Sequence, residues 1–155
     1  RIDLLVEAFR FLGSDYKLKI FGDGVDLERL KIIAGNASNI EFLGRVDEEE
    51  KIKLFENAEA FINPQEEDFG ITVIESMAAG RPVIAYRSGG ATETIIEGKT
   101  GLFFDEQTRD SLVAIVKKFS EYNFNSEEIK NHAEQFSIDN FKKQMNDFLA
   151  SLGKL

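Results

Sequence analysis

Two carboxylates, Glu67 and Glu75, stand eight positions apart with Gly70 between them. Gly70 directly precedes a helical pattern, and the first amides of a helix have no acceptors inside it. Glycine there lets an anion approach the backbone of Ile71, Thr72 and Val73, and the helix dipole favours a phosphate. Glu75 falls one turn into that helix, where its two oxygens can accept hydrogen bonds from the hydroxyls of a nucleotide sugar. Glu67 precedes the glycine, near the group that would lie beyond the phosphates. Together these residues form a strand–loop–helix site for a sugar nucleotide. Plainer readings fit the same residues. Thr72-x-x-Glu75 is a capping-box pattern, and Glu66-Glu67-Asp68 fits a solvated acidic turn. Paired carboxylates also fit a glycosidase, although a helix start between them argues against one.

The elements that must hold such a site alternate in period. Ile2, Leu4, Leu5, Ala8, Phe9 and Leu12 recur at helical spacing and stop at Gly13. A strand is expected over 17–21, running into Gly22-Asp-Gly24. A helix over 25–34, a strand over 40–43 ended by Gly44, and a helix capped by Asp47 follow. Strands are then expected at 58–62, 82–86 and 100–104, with helices at 72–79 and 91–96 between them. Helical segments at 110–121, 126–136 and 138–152 complete the chain. This alternation predicts an α/β fold, a Rossmann-like doubly wound parallel sheet with a helical C-terminal end. Ligands of such sheets sit where strand carboxyl ends meet helix N-termini.

Composition narrows the classes further. A length of 155 residues fits one domain, 1–155, and the formal net charge is −9. The acidic balance argues against nucleic acid as a partner, because a phosphate backbone needs clustered Lys and Arg. No Cys is present, which removes thiolate nucleophiles and cysteine zinc sites and fits a cytoplasmic setting. His132 is the one histidine and has no paired ligand nearby in sequence, so a surface or core-edge role is expected and no metal site.

The stretch 67–93 resembles the C-terminal, nucleotide-sugar-binding half of retaining group 1 glycosyltransferases of the two-domain GT-B fold. Glu67 and Glu75 match the family's Glu-x7-Glu signature. Met77-Ala78, Gly80, Pro82-Val83, Gly89-Gly90 and Glu93 follow at matching spacing. Phe21-Gly-Asp-Gly24 and Phe42-Leu-Gly-Arg-Val46 are weaker marks upstream. The resemblance implies that Glu75 binds ribose hydroxyls and that Glu67 contacts the donor sugar as the catalytic carboxylate. It also implies that Gly70, Ile71 and Thr72 offer amides to the diphosphate, that Gly22 lets its loop pass close to the nucleotide, and that Arg45 and Val46 contact the base. The donor would be a GDP- or UDP-linked sugar, with no other cofactor and no metal required. Glu-Glu-Asp-Phe-Gly-Ile is similar to mannosyltransferases that use GDP-mannose for surface polysaccharides. Tyr86-Arg87-Ser88 would lie near the donor, unless Arg87 is only a loop cation beside acidic neighbours.

The departures carry their own expectations. The family has a strand ending in Gly-Arg, and a Lys, ahead of the first helix, and this chain starts at that helix. An N-terminal domain, which takes the glycan or lipid-linked acceptor and often docks peripherally on a membrane, is also expected outside this chain. In a 3-2-1-4-5-6 sheet the first strand is central, so the sheet here is expected to be split. The isolated chain is expected to bind nucleotide weakly and transfer nothing. Two other classes remain: another GT-B enzyme, such as a nucleotide-sugar epimerase or phosphorylase, and a non-catalytic nucleotide-binding module.

Overall fold

The structure, a computed structural model, describes residues 1–152, so the last three residues of the expected 1–155 domain lie outside the described residues. Helix α1 (Ile2–Leu12) buries Leu4, Leu5, Val6, Ala8 and Phe9, as its spacing requires. It stops at Gly13, whose φ of 78° suits glycine and whose N–H donates to Phe9 O. Strand β1 (Leu18–Phe21), helix α2 (Leu27–Ala34), strand β2 (Ile40–Gly44) and helix α3 (Glu48–Glu56) follow. Helix α2 starts two residues later than expected, leaving Val25 fully exposed.

Strand β3 is shorter and later than its sequence pattern predicts, Phe61–Asn63 rather than 58–62. Ala58 is instead tied to the end of α3, its N–H donating to Phe55 O at 3.0 Å. Then come α4 (Ile71–Ala78), β4 (Val83–Tyr86), α5 (Ala91–Thr94) and β5 (Gly101–Phe104). Helices α6 (Arg109–Lys118), α7 (Ser126–Ala133) and α8 (Ile138–Leu152) close the chain, the first two each followed by a single 3-10 turn. The expected 91–96 helix ends at Thr94.

All strand pairs are parallel, and they fall into two separate sheets. β1 pairs with β2, Leu18 opposite Ile40 and Ile20 opposite Phe42. β3, β4 and β5 form the other sheet, with Ile62, Ile84 and Leu102 in register. This is the split expected for a doubly wound order interrupted at its centre. Alternation along β4 and β5 sends side chains to both faces. Ile84 and Phe104 meet Leu4, Phe9 and Leu112 of α1 and α6 on one face. Val83, Ala85 and Phe103 meet Val73, Met77 and Ile129 of α4 and α7 on the other. Helix α8 has no buried residue and leaves Phe141, Phe148 and Leu149 exposed. Among the described residues no helix is long and apolar enough to cross a membrane.

Candidate functional site

At the carboxyl end of β3 the chain passes through buried Asn63 and Pro64 into the acidic loop Gln65–Asp68. Three contacts fix this loop. Gly90 N donates to Glu67 O at 2.8 Å, Gln107 Nε2 donates to Pro64 O at 2.9 Å, and Gln65 Nε2 donates to the Glu67 carboxylate. Gly89 and Gly90 press against the loop's backbone. A Cβ on Gly89 would lie 2.4 Å from Glu67 O, and one on Gly90 2.3 Å from Asp68 O. The glycine pair therefore sets the position of Glu67 from the far side of the loop. From sequence the pair is one of the family marks, with no contact to the acidic loop implied by its spacing.

Gly70 caps α4 in the left-handed conformation, φ 79° and ψ 63°, with no side-chain hydrogen bond. Its carbonyl accepts from Val73 N at 2.9 Å and Ile74 N at 3.3 Å. This corrects the expectation that three amides are free, because the turn consumes that of Val73. Ile71 and Thr72 remain as the amides without an acceptor in the helix, and Ile71 is exposed. A Cβ on Gly70 would sit 3.4 Å from Glu67 Oε2, so the Glu67 carboxylate lies beside the helix start.

Glu75 does not close a capping box, because the N-cap is Gly70 rather than Thr72. Its Oε1 instead accepts from Lys51 Nζ at 2.8 Å. Lys51 lies on α3, is only 18% exposed at its side chain, and also meets Glu48 at 2.9 Å. Hydrogen bonds donated to Glu75 first, then to Glu48, hold its ammonium above the usual lysine range. Lys51 was missed from sequence, since no periodicity links residues 24 positions apart on different helices. Arg45, exposed, and Val46, half-buried, lead into the same helix, whose N-cap Asp47 accepts from Glu50 N at 2.8 Å. The loop expected to touch a base and the cation on Glu75 thus share one helix start.

Gly22 has φ 111° and donates to Gly44 O at 2.7 Å, so β1 and β2 end together. Gly22, Arg45 and Val46 belong to the two-stranded sheet. Glu67, Gly70, Ile71, Thr72 and Glu75 belong to the three-stranded one. The Lys51–Glu75 pair ties the two groups. A groove of about 1130 Å³ runs between the sheets, with Phe21, Gln65, Glu67 and Thr72 among the residues that line it. Two other residues fall outside this constellation. Arg87 pairs with Glu97 at 2.8 Å and Asp105 at 2.6 Å, the loop-cation alternative. His132 Nε2 donates to Thr94 O at 2.7 Å and joins α7 to α5. Among the described residues no group of three or more His, Cys, Asp or Glu could hold a metal ion.

Parallel strands with helices on both faces, and an acidic loop ahead of a glycine-capped helix, define a Rossmann-like nucleotide-binding type of domain. Residues 1–149 match the family Glycosyl transferases group 1, and the chain belongs to that family. An uncharacterised glycosyltransferase of Methanocaldococcus jannaschii is 32% identical over 114 residues, covering 72% of this chain and 32% of that protein. The alpha-1,3/1,6-mannosyltransferase ALG2 of Dictyostelium discoideum is 32% identical over 158 residues, covering 90% of this chain and 37% of its own. The Anabaena protein HepE, solved in complex with UDP-glucose, superposes with a TM-score of 0.78 at 20% identity. That match covers 96% of this chain and 44% of the HepE chain, and it speaks to fold alone. The chain spans about a third of the length of the curated relatives it matches.

Proposed function

We propose that this chain is the donor-binding domain of a retaining glycosyltransferase acting on a nucleoside-diphosphate hexose. The observation that carries this is the placement of Glu67 and Glu75 on either side of a helix start left open by Gly70. The Ile71 and Thr72 amides, with the helix dipole behind them, take the diphosphate and stabilise charge that grows as it departs. Glu75 accepts from the ribose hydroxyls through the oxygen Lys51 leaves free. Glu67, held by Gln65 and the glycine pair, faces the hexose and offsets positive charge developing at the anomeric carbon. The departing phosphate assists the incoming hydroxyl on the same face, which retains configuration, and no resident metal takes part.

The kinship with a mannosyltransferase at 32% identity supports mannose as the sugar, and the likeness of Glu66–Ile71 to mannosyltransferases that use GDP-mannose supports a GDP-linked donor. The acceptor, a glycan or lipid-linked sugar, is taken by a further domain, which also makes any peripheral contact with the cytoplasmic face of a membrane. The test is calorimetric titration of GDP and UDP against the wild type, Glu75→Ala and Glu67→Ala. Saturable binding weakened at least about tenfold by Glu75→Ala is expected, roughly the worth of a charged hydrogen bond left unmade. Binding indifferent to Glu75 would sink the assignment. No hexose transfer by the isolated chain is expected, and a detectable rate would show that the domain is catalytically complete.

A further inference from the structure

The acidic loop that carries Glu67 is pinned at both ends, and both pins lead to one short segment elsewhere in the chain. Pro64 is buried, and its carbonyl accepts from Gln107 Nε2 at 2.9 Å. At the other end, Glu67 O accepts from Gly90 N at 2.8 Å. Gln107 stands two strands away, because the sheet order is β3-β4-β5 and Gln107 follows β5. With about 4.8 Å between neighbouring strands, β3 and β5 lie about 10 Å apart, so this bond is made across the carboxyl end of β4. Gly90 belongs to the loop after β4, and that loop is held from the same side. Arg87 N donates to Phe104 O at 3.0 Å, which carries the β4–β5 pairing past both strands. The Arg87 guanidinium donates to Asp105 at 2.6 Å and lies over the Phe103 ring, 4.5 Å from its centroid. Residues 105–107 therefore reach both loops that border Glu67, while standing outside the candidate site.

The two arms of this bracket differ in strength. Arg87 and Asp105 form a surface pair, 39% and 72% exposed at their side chains, which water and salt screen. The Gln107–Pro64 bond is part-buried and neutral, so salt leaves it intact. A buried carbonyl without a donor is costly, and the loop would have to shift toward water if the amide were lost. The amide is also held in one orientation. Gln107 Oε1 accepts from Arg1 Nη1 at 3.3 Å, which leaves the NH2 group facing the Pro64 carbonyl. We propose that Gln107 is a positioning residue for the Glu67 carboxylate, fixing the entry to the acidic loop and so the place of Glu67 beside the Gly70 helix start. The proposal rests on the reading of Glu67 as the group that faces the donor hexose. Gln107 then governs how the hexose is held rather than the nucleotide, because Ile71, Thr72 and Glu75 belong to α4 and not to the loop.

Calorimetric titration of GDP and GDP-mannose, and of UDP and UDP-glucose, gives for each variant a ratio of nucleotide to sugar-nucleotide dissociation constants. The pair that binds the wild type more tightly is followed in Gln107→Met, Gln107→Asn, Glu67→Ala and the Gln107→Met/Glu67→Ala double variant. Met keeps the length of the side chain without a donor, and Asn keeps the amide but is one methylene too short. Both are expected to change the ratio at least about threefold in the direction of Glu67→Ala, with affinity for the bare nucleotide within about twofold of wild type. In the double variant Gln107→Met should add nothing, since its effect passes through Glu67. Val113→Ala, a truncation of a buried residue in α6 behind the same segment, should lower the thermal midpoint and leave the ratio unchanged. The proposal falls if both Gln107 variants keep the wild-type ratio while Glu67→Ala changes it, or if the two effects add. An equal change in Val113→Ala would reduce Gln107 to a structural part and overturn the proposal as well. A ratio indifferent to Glu67→Ala would instead remove Glu67 from the hexose, and the proposed function would fall together with this assignment.

Discussion

The two sheets are built to different standards. β4 and β5 are buried almost throughout and carry core on both faces, with β3 half-buried at Phe61 and Ile62, whereas β1 and β2 are mostly half-buried or exposed. The carboxylates and the open helix start belong to the first group, and the residues expected to meet the base belong to the second. Close packing fixes a group to a fraction of an ångström, which diphosphate and sugar require, since catalytic stabilisation depends on preorganised donors. Both sides end in exposed loops, but the acidic loop is fixed by Gln65, Gln107 and the glycine pair, and the Arg45–Val46 side is less tightly packed. If the proposed function holds, specificity for one base or another can change without disturbing the residues proposed to handle the phosphates.

The largest test of this contrast is a pair of core truncations. Met77→Ala, at a residue fully buried beneath the three-stranded sheet, should cost about 2–5 kcal/mol. Leu30→Ala, under the two-stranded sheet, should cost about 2 kcal/mol, the low end of that range. Urea unfolding measures both, and equal losses would erase the difference between the halves. A pair of glycines comes next. Gly90→Ala drives a Cβ into the backbone of the acidic loop and should cost about 1–3 kcal/mol, with nucleotide binding at least about tenfold weaker. Gly98→Ala meets only Tyr122 at 3.9 Å and should cost about 1 kcal/mol of backbone strain, with binding unchanged.

Smaller effects probe the base side. Asp47→Ala removes the cap of α3 and should cost about 1 kcal/mol, read from the thermal midpoint. It should also weaken nucleotide binding if α3 holds both Val46 and Lys51 in place. The smallest effect is a pH dependence. Lys51 is held above its unperturbed value of 10.5, so its contribution is complete below that pH and is lost as pH rises through the higher folded value. The thermal midpoint of the wild type should therefore fall faster than that of Lys51→Met in strongly alkaline buffer. Parallel curves would show that the Lys51–Glu75 pair adds nothing to stability.

Much of this organisation was legible in the residues because it is local. Helix α8 runs over 138–152 as its 3.6-residue period predicts, and Gly13 and Asp47 end and start their helices as their chemistry requires. The boundary of β3 was not, because Ala58-Glu-Ala alternates like a strand while Ala58 is bonded to the helix before it. Gly70 and Glu75 could be read from order and spacing. Lys51 against Glu75, and Gly89-Gly90 against the acidic loop, could not. Both are contacts between elements, and a sequence records only the members of such pairs, not their meeting.

Most helices seal their own beginnings with a Ser, Thr, Asp or Asn side chain. Helix α4 begins on Gly70, which holds the required backbone angles and seals nothing. Selection for heat resistance alone would therefore work against this protein. Asn tolerates the left-handed conformation and offers its own oxygen to the helix, so Gly70→Asn is the substitution a thermal screen should enrich. Under the proposed function the same oxygen would occupy the place the donor's phosphate takes. On the proposed reading, the glycine forgoes a cap of its own so that the donor can complete the helix.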